Sequence, residues 1–124
     1  MKEEIKKWFD QASSDLDAAQ DSITSRHFDW ACFQAQQAAE KGLKALYLQT
    51  KGQFRKIHDL NFLGKELGLP EDLLQLCGEL SRIYTETRYP DADEKIPAQK
   101  FSEKDARYFV DVARKILQWL NKKL

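Results

Sequence analysis

The sequence contains few of the residues that mark metal sites, disulfide frameworks or phosphate-binding loops. Of its 124 residues, two are cysteine, two histidine, three proline and five glycine. These cysteines and histidines form no C-x-x-C or H-E-x-x-H spacing, so no recognisable zinc motif is present. The scattered glycines match neither GxxxxGKS/T nor GxGxxG, which excludes the common nucleotide-binding loops. We therefore expect no metal and no cofactor.

Charge and hydropathy exclude further classes of protein. The 20 basic and 20 acidic residues cancel, so no overall field attracts the chain to nucleic acid or to a membrane. No apolar run reaches the about 18 residues that a membrane span needs. The beginning of the sequence, MKEEIKKWFDQ, has no apolar stretch like that of a signal peptide. From length and composition we expect one cytoplasmic domain over residues 1–124.

Apolar residues recur at steps of three and four along most of the chain, which is the spacing of amphipathic helices. Four long helices and one short helix are predicted: about 2–24, 29–50, 58–67 (the short one), 70–88, and from Ser102 onward. Gly68 and Pro90 are typical helix ends, and Ser102 with Asp105 forms a capping box. The predicted fold is an all-α, up-and-down bundle with a long irregular segment at 89–101.

The second predicted helix has two unlike faces. One face carries small residues that allow another helix to approach closely: Ala31, Ala35, Ala38, Ala39 and Gly42. The opposite stripe carries larger ones, with Trp30 and Tyr47 beside it: Phe33, Gln37, Glu40 and Lys44. We interpret this stripe as a homodimer contact or a ligand groove, and the alternative is a solvent-facing Glu40–Lys44 pair.

Two short motifs and one basic cluster could bind a ligand. His58-Asp59 is either a helix N-terminal cap or a base with an acid that orients it. At RYPD (88–91), Arg88 either stabilises the end of a helix or presents its planar fork to a phosphate or to Asp91, while Tyr89 stacks on a base. The basic cluster is a further candidate for phosphate contact: Lys51, Arg55 and Lys56.

Four segments occur together in one order: WFxxA at 8–12, FxAQQAAEKxLKA at 33–45, HDL at 58–60 and RYPD at 88–91. This combination resembles the prokaryotic HEPN domain over nearly the whole chain. The resemblance implies a helical bundle that commonly forms a homodimer and binds nucleotide. It also implies a partner, a separately encoded minimal nucleotidyltransferase, in a two-component and sometimes toxin–antitoxin system. The candidate contact residues are Gln37, Glu40, Lys44, His58, Asp59, Arg88, Tyr89 and Asp91.

The sequence departs from the ribonuclease members of that family. Their motif is an arginine followed, after four to six residues, by a histidine. Arg88 lies in the expected region, but residues 89–101 contain no histidine that could transfer protons. We therefore place the chain in the non-nuclease branch and assign no catalytic residue. Two alternatives stay open: a weak metal-independent ribonuclease in which folding or dimerisation brings His58 to Arg88, and a module that binds only protein.

Overall fold

The computed structural model describes residues 2–53 and 56–124. Over these ranges the chain is helical and contains no strand, as follows: α1 (Glu3–Thr24), α2 (Phe28–Lys51), α3 (Leu60–Glu66), α4 (Glu71–Ser81), α5 (Ile83–Arg88), a 3-10 turn (Pro90–Ala92), α6 (Pro97–Lys100) and α7 (Glu103–Lys123). The predicted all-α bundle is confirmed. Among the described helices, none combines the length and the apolar character needed to cross a bilayer.

The long segments of the bundle alternate in direction. Helices α1 and α2 are antiparallel, with an ion pair of 2.6 Å between Asp15 and Lys41. Helix α5 is antiparallel to α2. Phe33 contacts Tyr84, and Trp30, one turn earlier on α2, lies near Arg88, one turn later on α5. Helix α7 follows α2 in the same direction and packs against both α1 and α2. This order places α2 at the centre of the bundle.

The small-residue face of α2 allows α7 to approach closely, as predicted. All five of its small residues are buried. A Cβ atom added to Gly42 would lie 2.9 Å from Leu120 Cδ1 and closer still to Leu117 Cδ2. These distances are too short for a real Cβ, so a larger residue at this position would require the leucine side chains of α7 to shift.

Two boundaries differ from the sequence prediction. The helix predicted over 70–88 is divided at Arg82 into α4 and α5. Arg82 keeps helical angles (φ −62°, ψ −27°), so the apolar periodicity continues across the division and does not reveal it. The segment 89–101, predicted as irregular, contains the 3-10 turn and α6, and both begin with proline, which suits the first position of a helix.

The predicted stop at Gly68 and the predicted Ser102–Asp105 capping box are confirmed, and Asp59 is the N-terminal cap of α3. The Asp59 carboxylate accepts hydrogen bonds from the backbone N–H groups of Asn61 (3.0 Å) and Phe62 (3.2 Å) at the start of α3. Gly68 has φ +73°, a left-handed conformation that stops the chain from continuing as a helix. Ser102 and Asp105 form the reciprocal capping box of α7.

Candidate functional site

Glu40, in the middle of α2, is a buried carboxylate surrounded by hydrogen-bond donors. It is 4% exposed. Lys44, one turn later on the same helix, donates to its Oε2 at 3.0 Å, and Gln36, one turn earlier, donates to its Oε1 at 3.1 Å. The predicted Glu40–Lys44 pair exists, but it is buried within the chain instead of facing solvent. A buried carboxylate is tolerated only when its oxygens are paired in this way.

His58 reaches Glu40 from the segment that precedes α3. Its Nδ1 atom lies 2.9 Å from Glu40 Oε1 and 3.1 Å from Oε2. Because an ionised carboxylate can only accept, Nδ1 must carry the proton that is shared with it. In a neutral imidazole this leaves Nε2 as an acceptor. The side chain of His58 is 51% exposed.

Tyr84, on α5, connects His58 to Arg88. The rings of His58 and Tyr84 are stacked, with centroids 4.2 Å apart and an interplanar angle of 15°. The Arg88 guanidinium carbon lies 4.7 Å from the same Tyr84 centroid, and Arg88 donates a hydrogen bond to the Tyr84 hydroxyl. A cation held over a ring face is attracted by the ring's quadrupole. We call these five residues the His58 cluster: Glu40, Lys44, His58, Tyr84 and Arg88.

The His58 cluster has one positive charge that no carboxylate balances within the described ranges. The arginines found there in ion pairs are Arg26, Arg107 and Arg114. Arg88 instead contacts aromatic rings, with its guanidinium carbon 5.8 Å from the Tyr89 ring centroid. An exposed guanidinium can bind an anion with a planar or tetrahedral array of oxygens. The cluster therefore has the chemistry of a phosphate-binding surface.

The structure places the remaining predicted residues unequally. Gln37 is half-buried and donates to the Gln36 side-chain oxygen at 2.8 Å, so it borders the His58 cluster. Asp59 faces the N-terminus of α3 as its cap. Tyr89 is 48% exposed at the end of α5. Asp91 is exposed in the turn after it, and the predicted Arg88–Asp91 pair is not found among the described residues.

Sequence reasoning missed Gln36 and Tyr84. Gln36 lies one turn before Glu40, which is a usable signal for a hydrogen bond on a helix. Tyr84 precedes Arg88 by four residues, the spacing at which helical side chains touch. The sequence analysis placed Tyr84 in an apolar stripe, because its position fits the core periodicity as well as it fits the site.

Other candidates contribute nothing to this site. Cys32 and Cys77 are buried free thiols, and burial raises the pKa of each to about 12. Such thiols are unreactive near neutral pH. Within 2–53 and 56–124, no three metal-ligating side chains converge. Arg55, the central residue of the predicted basic cluster, lies outside the described residues.

Comparisons with known proteins agree with this architecture. The chain is similar to TT1696 from Thermus thermophilus, with 37% identity, a TM-score of 0.93, and 99% of this chain and 100% of that one covered. It is also similar to ST0689, an archaeal HEPN homologue (35% identity, TM-score 0.83, coverage 99% and 98%). A HEPN domain protein from Thermotoga maritima, tm0613, shares 28% identity with a TM-score of 0.75 and coverage of 94% and 95%.

The family assignment rests on the whole length of the chain. No curated protein sequence matches it. The family profile of the HEPN domain, in contrast, matches residues 5–123, from the first turns of α1 to the end of α7. This range contains every helix that forms the bundle and all five residues of the His58 cluster. The chain therefore belongs to the HEPN domain family.

Proposed function

We propose that this chain is a nucleotide-binding and interaction module of the non-nuclease branch of the HEPN family. In this proposal it is a cytoplasmic, single-domain homodimer that works beside a separately encoded minimal nucleotidyltransferase, in a two-component or toxin–antitoxin system. The observation that carries nucleotide binding is the position of Arg88. Its exposed guanidinium lies over the Tyr84 ring, on which the half-exposed imidazole of His58 is also stacked, and no described carboxylate forms an ion pair with it.

The shape of the guanidinium group makes this proposal testable. A lysine at position 88 keeps the charge near the end of α5 but loses the two-pronged geometry with which arginine binds phosphate. We expect Arg88→Lys to weaken binding of ATP, GTP or a short RNA by about tenfold to a hundredfold, which corresponds to the loss of a charged hydrogen-bond pair. Isothermal titration calorimetry measures this, with thermal stability recorded in parallel.

Arg82→Lys is the matched control. Arg82 is exposed at the junction of α4 and α5, six positions before Arg88. The same substitution there measures the general effect of replacing an exposed arginine by lysine, outside the His58 cluster. We expect it to leave nucleotide affinity unchanged. Equal affinities for wild type and Arg88→Lys would remove Arg88 from the site, and the absence of any nucleotide binding by the wild-type protein would refute this part of the proposal.

Partnership and assembly need separate measurements. Co-expression with the product of a neighbouring nucleotidyltransferase gene, followed by size-exclusion chromatography, should give a stable complex. Light scattering of the chain alone should give twice the 14.5 kDa mass of the monomer. Complex formation without any nucleotide binding would instead favour the module that binds only protein. A monomeric mass at tens of micromolar would contradict the homodimer.

One observation favours ribonuclease activity as a second candidate. His58 and Arg88 both contact Tyr84, at 4.2 Å and 4.7 Å from its ring centroid, so the two groups lie closer together than the sum of these distances. The half-exposed imidazole of His58 could take a proton from a ribose hydroxyl while Arg88 holds the phosphate. Cleavage of a labelled RNA in the presence of EDTA, lost in His58→Ala, would support this candidate. Uncleaved RNA at high protein concentration would exclude it.

A further inference from the structure

A cleft beside the His58 cluster joins exposed aromatic surface to the Arg88 side chain. It has a volume of about 500 Å³ and is lined by Trp30, Phe33, Thr87 and Arg88. Its residues come from the first turns of α2 and the last turn of α5. We call it the Trp30 cleft. Its size falls within the range of small-molecule sites in proteins.

The aromatic residues of the Trp30 cleft form a row that continues to the His58 cluster. Trp30 meets Phe33 edge to face, with centroids 6.0 Å apart and an interplanar angle of 82°. Phe33 in turn lies 6.4 Å from Tyr84. Trp30 is nevertheless 57% exposed, and no described side chain is stacked parallel to its indole. The indole is therefore positioned by its neighbour while much of its surface remains open to a ligand.

The charge in the Trp30 cleft restricts what can occupy it. Arg88 lines the cleft and lacks a carboxylate partner among the described residues. A purely apolar partner covering the cleft would bury this guanidinium without an anion, which is costly. A nucleotide satisfies both requirements, because its base offers a flat ring for stacking and its phosphate offers the anion.

We propose that the Trp30 cleft is the base subsite of the nucleotide site: a nucleobase stacks on Trp30 next to Phe33, and Arg88 binds the phosphate. This inference rests on the proposed function and adds to it the residues that bind the base. It differs from the sequence expectation, in which Tyr89 was the stacking residue. Stacking on an aromatic side chain tolerates every base, so the cleft provides affinity without choosing among bases.

The test uses two ligands that differ only in the base, AMP and ribose 5-phosphate. Substitution of Trp8 and Trp119 by phenylalanine leaves Trp30 as the only one of the three tryptophans. In that variant AMP should quench the Trp30 fluorescence and ribose 5-phosphate should not. In the otherwise wild-type chain, Trp30→Ala should weaken AMP binding by roughly tenfold or more and leave ribose 5-phosphate binding unchanged. The affinity for a pentanucleotide RNA, compared with that for AMP, shows whether the cleft prefers a base in an RNA strand or in a free mononucleotide.

Tyr108→Ala is the matched control, because Tyr108 is another exposed aromatic residue (44%) on α7, outside the cleft. It should leave the affinity for AMP and RNA unchanged. If nucleotides bind and depend on Arg88, but Trp30→Ala has no effect on AMP or RNA affinity, the base subsite is refuted while nucleotide binding survives. If Trp30→Ala converts a dimer to a monomer with AMP affinity unchanged, the cleft is a contact between copies and the inference is again refuted. If no nucleotide binds, both proposals are refuted.

Discussion

Replacement of Glu40 by glutamine should destabilise the protein more than any exposed charge substitution. Glu40 accepts from three donors, and the side chains of Glu40 and Lys44 are only 5% and 7% exposed. Glutamine retains one acceptor oxygen and turns an N–H₂ group toward donors, and Lys44 loses the carboxylate charge at 3.0 Å. Breaking a buried pair from one side costs about 3–5 kcal/mol. Since one acceptor remains, we expect about 3 kcal/mol for Glu40→Gln.

Urea unfolding followed by circular dichroism measures this loss. With the slopes usual for small proteins, about 1–3 kcal/mol per molar urea, the midpoint should fall by about 1–3 M. Asp10→Asn is the control, since it makes the same acid-to-amide change in an i,i+4 lysine pair whose side chains are 63% and 61% exposed. This exposed pair should contribute much less to stability, because its charges stay in water and are screened by salt.

A double substitution separates the cost of an unbalanced charge from the cost of lost packing. Glu40→Gln combined with Lys44→Met removes both charges, so part of the stability lost in Glu40→Gln should return. The reasoning is refuted if Glu40→Gln shifts the urea midpoint no further than Asp10→Asn does. It is also refuted if Lys44→Met adds its full cost to that of Glu40→Gln, because the two residues would then not be coupled.

Three further predictions concern packing, thiol chemistry and the segment after α5. Gly42→Ala should cost about 1–3 kcal/mol in urea unfolding, because its Cβ would overlap leucine side chains of α7, and a wild-type midpoint would disprove the close approach. Burial raises the pKa of Cys32 and Cys77 to about 12, so the folded thiols stay neutral while unfolded thiols ionise near pH 9, and stability should fall between about pH 9 and 12. Ellman's reagent at pH 8 should react with these thiols only after urea is added. Rapid reaction without urea would contradict this burial. Lys100 forms ion pairs with Asp93 (3.0 Å) and Glu86 (3.6 Å). Lys100→Gln should therefore speed proteolytic cleavage within 89–101 while global stability changes little. An unchanged cleavage rate would show that these ion pairs do not hold the segment in place.

The helices and their ends could be predicted from the sequence because their causes are local. The Asp59 cap, the Ser102–Asp105 box and the stop at Gly68 depend on groups within a few residues of one another. The face of α2 that carries small residues could also be predicted, since it follows from helical periodicity alone. The division between α4 and α5 at Arg82 could not be predicted, because an interruption that keeps helical angles leaves the periodicity intact.

The candidate site was predicted residue by residue but not as a set of contacts. Glu40, Lys44, His58 and Arg88 were each singled out, but the interpretation of His58 as a base placed its acid next to it in the sequence. In the structure that acid is Glu40, 18 positions earlier and on another helix. The burial that suggested a dimer or a groove is supplied for Glu40 and Lys44 by the chain itself, whereas Trp30, beside the same stripe, stays exposed.

The sequence by itself determined that this is a helical bundle, where most of its helices begin and end, and that α2 has two unlike faces. These properties depend on local hydrogen bonding and on a repeat of three to four residues. Only the tertiary structure decided that His58 pairs with Glu40 and that Tyr84 joins His58 to Arg88. Those contacts depend on how α2, α5 and the segment before α3 pack together, and no local pattern specifies which side chains from separate elements meet.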